Sequence, residues 1–453
     1  MSVSGSFAPL LRRHVLEKAW ARCTGARMPG AWLELERSQR SDEDTVRRRQ
    51  LEQLRELLRF AYQRNAFYRQ RLDRAGVVPG LVQSLDDIRR LPILTKSEVR
   101  TEGQRLLSAG FDSSSLMRAK TGGSTGKAIE VFFTEEVSQL RNASGRRNKR
   151  WAGWEVGEPV GAVWGNPIYP TTVRDRVKEW ALTPSIYLDT MSVTPESVRR
   201  FAREWARVSP TLLFGHAHSL FVLASMGREM GIAEIQPRAI VPTSMMLMPH
   251  ERRVIEEVFG VKATDIYGCE EVGLIAGECE RHEGLHINVD QLIVEVLDES
   301  GEPVGPGETG LVVVTDLLNM AMPFIRYRME DMARVAERPC SCGRPMPTLQ
   351  QIVGRTADFL RRIDGSRVAG ISLIENSLTR IPGIDQMQIV QEDLRSILLR
   401  VVAGRGFTES TSRELVSYFE ATFPEARIAL QEVASIPAEP NGKYRFSICR
   451  LTQ

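Results

Sequence analysis

Three glycines, three hydroxyl side chains and one lysine lie within seven consecutive residues of this 453-residue chain, namely Thr121, Gly122, Gly123, Ser124, Thr125, Gly126 and Lys127. Glycines let the backbone approach a ligand closely and turn its N–H groups outward. Hydroxyl groups and an ammonium add donors to phosphate oxygens. The segment therefore predicts a phosphate-binding loop, and the alternative interpretation is a flexible hairpin turn.

The same segment does not fit the loop of P-loop NTPases. That loop needs a glycine five positions before its Gly-Lys pair and a Ser or Thr directly after the pair. Thr121 and Ala128 occupy those two positions here. This class of nucleotide-binding protein is therefore excluded.

Cysteine and histidine form two short pairs with the spacing of metal ligands. Cys279 and His282 give a Cys-x2-His pair, and Cys340 and Cys342 give the second pair. Three thiolates and one imidazole are a common tetrahedral zinc set, and four protein ligands make such a site structural. His286 is an alternative to His282, but its surroundings are typical of the start of a strand, so the prediction takes Cys-x2-His. The other interpretation is four unconnected reduced residues.

Charge and composition exclude several classes of protein. The 60 Lys and Arg residues against 57 Asp and Glu give a net charge of +3, and 42% of the residues are hydrophobic. A disordered chain, a coiled coil or a nucleic-acid-binding protein would have a more biased composition. A run of about 18 apolar residues and a signal-peptide pattern are both missing, which predicts a protein of the reducing cytoplasm without membrane spans.

The order of patterns along the chain predicts an α/β fold with two domains. Short apolar runs alternate with helical ones from about residue 117 to 335, as in an α/β body. Residues 41–75 are predicted to be helical, with Ser41 as the N-cap. A charged, glycine-punctuated stretch at 355–367 precedes a compact segment with both helix and strand patterns. The prediction is a large N-terminal domain, 1–355, with several sheets and helices, followed by a small α+β domain, 356–453.

Five segments in a fixed order resemble the motifs of the adenylate-forming superfamily, which contains the acyl-CoA synthetases. The first is the loop at 121–127, which follows the pattern Ser/Thr-Ser/Gly-Gly-Ser/Thr-Ser/Thr-Gly-x-Pro except that Ala128 replaces the proline. The second, IYGCEE, resembles Y-G-x-S/T-E. This resemblance implies that Tyr267 lies near the adenine and that Glu271 holds Mg²⁺, while Glu270 replaces the usual hydroxyl residue.

The third and fourth segments carry further nucleotide contacts. PFIRYRMEDMARV resembles P-x-I/F-R-Y-R-T-G-D, which implies that Asp331 binds the ribose hydroxyls, although Met329 and Glu330 replace Thr and Gly. IVGRTADFL resembles G-R-x-D-D, which implies that Arg355 reaches the nucleotide. Ala357 stands where the superfamily usually has its hinge aspartate.

The fifth segment, PNGKYRF, resembles the superfamily's lysine segment. This resemblance implies a mobile C-terminal domain whose Lys443 enters the site during adenylation. VPTSMML takes the place of T-S-G-E, which implies that Thr243 and Ser244 flank the adenine. RNAFYRQRL, LPILTKSEVR, AGECERHEGLHIN and CSCGR resemble phenylacetate–CoA ligases and CapK-like proteins in particular, some of which carry a structural zinc ion.

The resemblance implies an ATP- and Mg²⁺-dependent ligase that activates a small carboxylic acid, with an aryl acid favoured, through an acyl-adenylate. CoA is the expected acceptor of the acyl group, and an amine or a carrier-protein thiol are the alternatives. A non-catalytic nucleotide-binding relative is a third interpretation, because several motif positions are substituted. Trp164, Phe214, Met245 and Tyr267 are candidates for the walls of the acid pocket, with ordinary core packing as the alternative, and Cys269 is a candidate to face it.

Overall fold

The structure is a computed structural model that describes residues 7–120, 129–164, 172–190, 193–355, 359–364, 367–404, 406–437 and 445–451. Several sequence predictions fall outside the described residues: the loop 121–127, Ala128, Ala357 and Lys443. A helix with the length and apolarity needed to cross a bilayer is absent from the described part of the chain.

The N-terminal segment is helical, and a π-helical turn at Arg12–Leu16 joins its first two helices. Its helices are α1 (Phe7–Leu11), α2 (Glu17–Thr24), α3 (Met28–Ser38), α4 (Glu43–Arg64), α5 (Ala66–Ala75) and α6 (Lys96–Glu102). The predicted helix at 41–75 is in fact two helices, because Asn65 leaves the helical conformation and its side chain caps α5. The predicted cap was also wrong by one residue, since Asp42 accepts the N–H of Thr45 at 2.7 Å.

A hairpin and a parallel sheet form the middle of the chain. The hairpin pairs β1 (Met117–Lys120) with β2 (Glu130–Phe133) and leads into α7 (Glu135–Trp151). The sheet has the order β4-β3-β5-β6 with all neighbours parallel. Its strands are β3 (Val160–Trp164), β4 (Ser185–Asp189), β5 (Leu212–His216) and β6 (Ala239–Thr243). The intervening helices are α8 (Val173–Leu182), α9 (Pro195–Val208), α10 (Ala217–Glu229) and α11 (Pro249–Phe259).

A seven-stranded sheet with antiparallel neighbours follows, in the order β10-β11-β12-β13-β9-β8-β7. Its strands are β7 (Ile266–Cys269), β8 (Gly273–Glu278), β9 (Leu285–Ile287), β10 (Leu292–Leu297), β11 (Thr309–Asp316), β12 (Tyr327–Val335) and β13 (Thr348–Arg355). A parallel bridge between Ile240 and Ala263 links it to the edge of the parallel sheet. The largest apolar cluster packs beneath this sheet, so the turns at its β7 end are held on a rigid base.

The C-terminal segment is a small α+β unit. A two-stranded ribbon, β14 (Phe359–Arg361) and β15 (Arg367–Ala369), precedes α12 (Gly370–Arg380). The remaining strands form a four-stranded sheet in the order β18-β17-β16-β19, and α13 packs against this sheet. These elements are β16 (Ile384–Asp393), β17 (Ser396–Ala403), α13 (Glu409–Thr422), β18 (Arg427–Glu432) and β19 (Ser447–Cys449).

The C-terminal unit contacts the body through methionines. Met248, at the start of α11, is fully buried in the apolar cluster of the C-terminal unit, and Met246 packs against the same cluster. Met246 stands where the resemblance has the glutamate of T-S-G-E. The apolar residues of VPTSMML therefore serve a contact between the two parts of the chain.

Candidate active site

Two of the predicted nucleotide residues contact each other directly. The Tyr267 hydroxyl donates a hydrogen bond to Asp331 Oδ2 at 2.8 Å, although 64 residues separate them in the sequence. Asp331 lies directly opposite Arg355 in the register of β12 and β13. Both tyrosine and aspartate are only partly buried, so ligand atoms can still reach them. Three separate motifs therefore meet at one end of the seven-stranded sheet.

The predicted Mg²⁺ ligand Glu271 lies in a buried polar network in the turn between β7 and β8. Glu271 is 5% exposed and accepts a hydrogen bond from the Tyr327 hydroxyl at 3.3 Å. Burial and the Glu271 charge raise the pKa of Tyr327, so this hydroxyl stays protonated and can donate. Arg141 on α7 donates to the Glu271 main-chain oxygen at 2.9 Å and to Asp316 at 2.6 Å. The turn is thereby fixed from both sides.

Glycine is required where that turn passes Arg141. Gly273 has a φ of 81°, and a Cβ there would lie 3.0 Å from the arginine side chain. The Arg141 guanidinium also lies 4.9 Å from the centre of the Phe133 ring, in the strand that follows the predicted phosphate loop. The amide of Asn319 donates to the Phe132 carbonyl at 2.9 Å and ties the same strand to the large sheet. The base of the β1–β2 hairpin is therefore attached beside Glu271.

Two residues within the predicted motifs, Glu330 and Ser244, have a backbone conformation that favours glycine. Glu330 replaces the glycine of the R-Y-R-T-G-D pattern and has a φ of 63°, in the left-handed region that favours glycine. Lys96, from the LPILTKSEVR segment, lies 3.8 Å from the Glu330 carboxylate. Ser244, the residue after β6, also has a positive φ of 65°. Thr243 ends β6 directly opposite His216, so the pair predicted to flank adenine lies at the carboxyl end of the parallel sheet.

An aromatic group lies on one face of the parallel sheet, towards the carboxyl ends of its strands. The Trp164 and Phe214 rings stack 5.7 Å apart at an angle of 8°, and Trp164 lies 4.2 Å from the His216 ring. Ligands of open parallel sheets bind outside the carboxyl ends of the strands. Trp164 and Phe214 were both predicted as pocket walls, and His216 is an addition from the structure. Met245 packs against the apolar cluster between the parallel sheet and its helices, and Phe214 packs against a second apolar cluster, so both contacts also fit the alternative of ordinary core packing.

Lys149 on α7 contacts the same aromatic group. Its ammonium lies 4.4 Å from the centre of the Phe214 ring. Burial, together with the nearby Arg146 guanidinium, lowers the pKa of Lys149 to about 8. Nothing in the local sequence distinguishes Lys149 from the other basic residues of α7, because its position depends on how the helix packs on the sheet.

The structure corrects the predicted zinc ligands. Cys279, Cys340 and Cys342 come together as predicted, but the fourth member is His286, and all four ligand atoms lie within 4.8 Å of one another. His282 points elsewhere, since its Nδ1 lies 3.2 Å from Glu278 Oε2. The residues around His286 do form a strand, as predicted. That strand character was the reason for choosing His282, yet a histidine within the strand is the one that joins the cysteines. Strand β9 places His286 opposite Thr348 of β13, next to the Cys340–Cys342 turn.

The four side chains have the spacing of a tetrahedral metal site. A zinc ion bound at about 2.3 Å to sulfur and about 2.0 Å to nitrogen would separate two sulfurs by about 3.8 Å and sulfur from nitrogen by about 3.5 Å. The observed Sγ–Sγ distance between Cys279 and Cys340 is 3.7 Å, and Cys342 Sγ lies 3.4 Å from His286 Nε2. Burial lowers the pKa of His286 to about 4, so the ring is neutral and free to act as a ligand. The donor set therefore fits a zinc ion.

Comparisons with known proteins agree with this geometry. Residues 360–450 match the CapK C-terminal domain. A phenylacetate-coenzyme A ligase of Thermus thermophilus is 28% identical over 341 residues, which are 70% of this chain and 72% of that protein. A phenylacetate-coenzyme A ligase of Pseudomonas putida is 28% identical over 343 residues, with the same coverage.

A solved structure extends the likeness to most of the chain. The crystal structure of 2-hydroxyisobutyryl-CoA ligase in the postadenylation state, in complex with R3-HIB-AMP, has a TM-score of 0.72 and covers 88% of each chain at 20% identity. The predicted resemblance to the adenylate-forming superfamily is confirmed: phenylacetate-CoA ligases are homologues of this chain, its C-terminal part matches the CapK C-terminal domain, and it shares the fold of a CoA ligase. The predicted α/β fold class, with a small α+β C-terminal part, is that of this superfamily and is confirmed.

Proposed function

We propose that this adenylate-forming enzyme is an AMP-forming acid–CoA ligase. It joins a carboxylic acid to the α-phosphate of ATP with loss of pyrophosphate, and the acyl-adenylate then reacts with the thiol of CoA. The observation that carries the proposal is the meeting of Tyr267, Asp331 and the Glu271 turn at one end of the large sheet, in a chain homologous to phenylacetate-CoA ligases.

Each nucleotide residue has a role that follows from its chemistry. Asp331 accepts hydrogen bonds from the ribose hydroxyls, and Tyr267 orients that carboxylate beside the adenine. Glu271 would hold Mg²⁺, which supplies positive charge to the phosphate oxygens when bound. The loop 121–127 is the proposed phosphate-binding segment, and Lys443 is the proposed source of positive charge for the attack of the acid on the α-phosphorus. Arg355 completes the nucleotide contacts.

The cysteine cluster is proposed to hold a structural zinc ion. Cys279, Cys340, Cys342 and His286 would provide all four ligands, which leaves no open position for catalysis. Burial raises the pKa of Cys279 to about 12, so a bound cation would be needed to hold its thiolate form near neutral pH. The ion would tie the β8–β9 turn to the segment before β13. It therefore stabilises the sheet that carries Asp331 and Arg355 rather than taking part in the reaction.

The acceptor and the acid class are tested by product analysis. Protein, ATP and Mg²⁺ are incubated with aryl and alkyl acids, together with CoA, an amine or a carrier protein in turn. We expect AMP and an acyl-CoA thioester, identified by mass spectrometry, with aryl acids. An amide or an acyl-carrier product in place of the thioester would change the acceptor. ATP consumption with none of the acids would favour the non-catalytic interpretation.

Asp331→Asn is expected to raise the KM for ATP by about 10- to 100-fold, because an amide replaces a charged acceptor of the ribose hydroxyls. The measurement is acid-dependent pyrophosphate release as a function of ATP concentration. Tyr267→Phe serves as the comparison, since it removes the hydroxyl that donates to Asp331 but leaves the Asp331 carboxylate in place, and it should raise the KM less. Equal effects of the two substitutions would contradict a direct ribose contact for Asp331.

A further inference from the structure

Lys149 on α7 is a cation without a carboxylate partner in the part of the chain that the structure describes. Four of the five residues from 146 to 150 in helix α7 are basic: Arg146, Arg147, Lys149 and Arg150. The three arginines each have a carboxylate partner: Arg146 with Glu17, Arg147 with Asp290, and Arg150 with Glu36 and Glu155. Within the described residues, the Lys149 side chain has no ion pair and no hydrogen bond, and its ammonium lies 4.4 Å from the centre of the Phe214 ring.

Lys149 lies on the face of α7 that contacts the parallel sheet. Helical side chains lean towards the N-terminus of their helix, and the N-terminal half of α7 carries Arg141 beside Glu271. Arg141 and Lys149 are eight residues apart, or about 12 Å along the helix axis. Lys149 contacts the aromatic group of Trp164, Phe214 and His216 through the Phe214 ring. The same helix therefore contacts the Glu271 turn through Arg141 and the stacked rings through Lys149.

We propose that Lys149 is a specificity-determining residue that selects aromatic acids with a second acidic group, remote from the carboxylate that is adenylated. The aromatic ring of the acid packs against Trp164 and Phe214, and its distal carboxylate pairs with the Lys149 ammonium. This inference rests on the proposed acid activation and adds the substrate class to it.

The electrostatics of the surroundings favour this assignment over a structural role. Lys149 is half-buried, and a cation held there only for packing would lose part of its hydration without compensation, in line with its lowered pKa. A methionine or leucine would fill the same space against Phe214 without the loss. A carboxylate of the ligand would supply the missing partner in a region of low dielectric, where a charge-assisted hydrogen bond is strong.

The test compares matched acids in ATP–pyrophosphate exchange. 4-Carboxyphenylacetate is paired with 4-methylphenylacetate, and terephthalate with 4-methylbenzoate, so that each pair differs only in the distal group. We expect kcat/KM for the wild-type protein to favour the diacid of at least one pair by about tenfold or more. Lys149→Met should shift the ratio of the two kcat/KM values by about 10- to 100-fold towards the methyl acid.

The control is Lys262→Met, which makes the same chemical change at an exposed lysine paired with Glu256. It should leave the ratio at the wild-type value. A wild-type preference for the methyl acids, or a ratio that Lys149→Met does not change while exchange continues, would overturn the assignment of Lys149 alone. Absence of exchange with every acid would instead refute the proposed function, and the inference with it.

Discussion

Glu271→Gln is expected to lower the rate of acid-dependent ATP–pyrophosphate exchange by about a thousandfold. The amide keeps the size of the side chain and can still accept the hydrogen bond from Tyr327, but it removes the negative charge that would hold Mg²⁺ at the phosphates. The measurement is the exchange rate at saturating ATP, repeated over a range of Mg²⁺ concentrations.

The matched control is Glu270→Gln, which makes the same charge change one residue earlier on the exposed side of the same turn. We expect this variant to keep its exchange rate within about tenfold of wild type. A thousandfold loss in Glu270→Gln, with little loss in Glu271→Gln, would transfer the Mg²⁺ role to the other carboxylate. Circular dichroism of both variants verifies that the folded state is retained.

His286→Ala is expected to release the zinc ion and to lower the free energy of unfolding by at least about 3 kcal/mol, because ligand loss opens a closed four-coordinate site. His282→Ala, four residues away, should keep one zinc per chain and near wild-type stability, since His282 lies beside Glu278 and outside the ligand set. The measurements are metal content after dialysis against a chelator and urea unfolding.

The two histidines make this comparison decisive. Loss of zinc from His282→Ala with retention in His286→Ala would restore the Cys-x2-His pair as the ligand set. A wild-type protein that is folded and metal-free after purification in zinc-containing buffer would refute the zinc site altogether. Neither readout depends on enzymatic activity, so the result stands apart from the proposed function.

Motif residues could be predicted from the sequence because each motif is a short local pattern. Tyr267 and Asp331 were identified independently and form a hydrogen bond in the structure. The helical character of residues 41–75 was also predicted from the local pattern, although Asn65 divides the segment into α4 and α5. Ser41 was the wrong cap because Asp42, one residue on, offers the N-terminus of α4 a charged acceptor.

Residues that depend on distant packing could not be predicted. His286 joins the cysteines only through the pairing of β9 with β13, whose partners are about 60 residues apart in sequence. Arg141 and Lys149 lie in a helix rich in basic residues, and only the packing of α7 on the sheets separates the arginine at the Glu271 turn from the lysine at Phe214. The contact of Met248 with the C-terminal unit arises in the same way.

The most direct test of acyl-adenylate formation is ATP–pyrophosphate exchange in the absence of CoA. Labelled pyrophosphate, ATP and Mg²⁺ are incubated with the wild-type protein, with and without a panel of carboxylic acids. Acid activation through an adenylate predicts that label enters ATP only when a suitable acid is present, and that CoA is not required. Release of ADP and phosphate, or exchange that does not depend on an acid, would contradict adenylation as the first step.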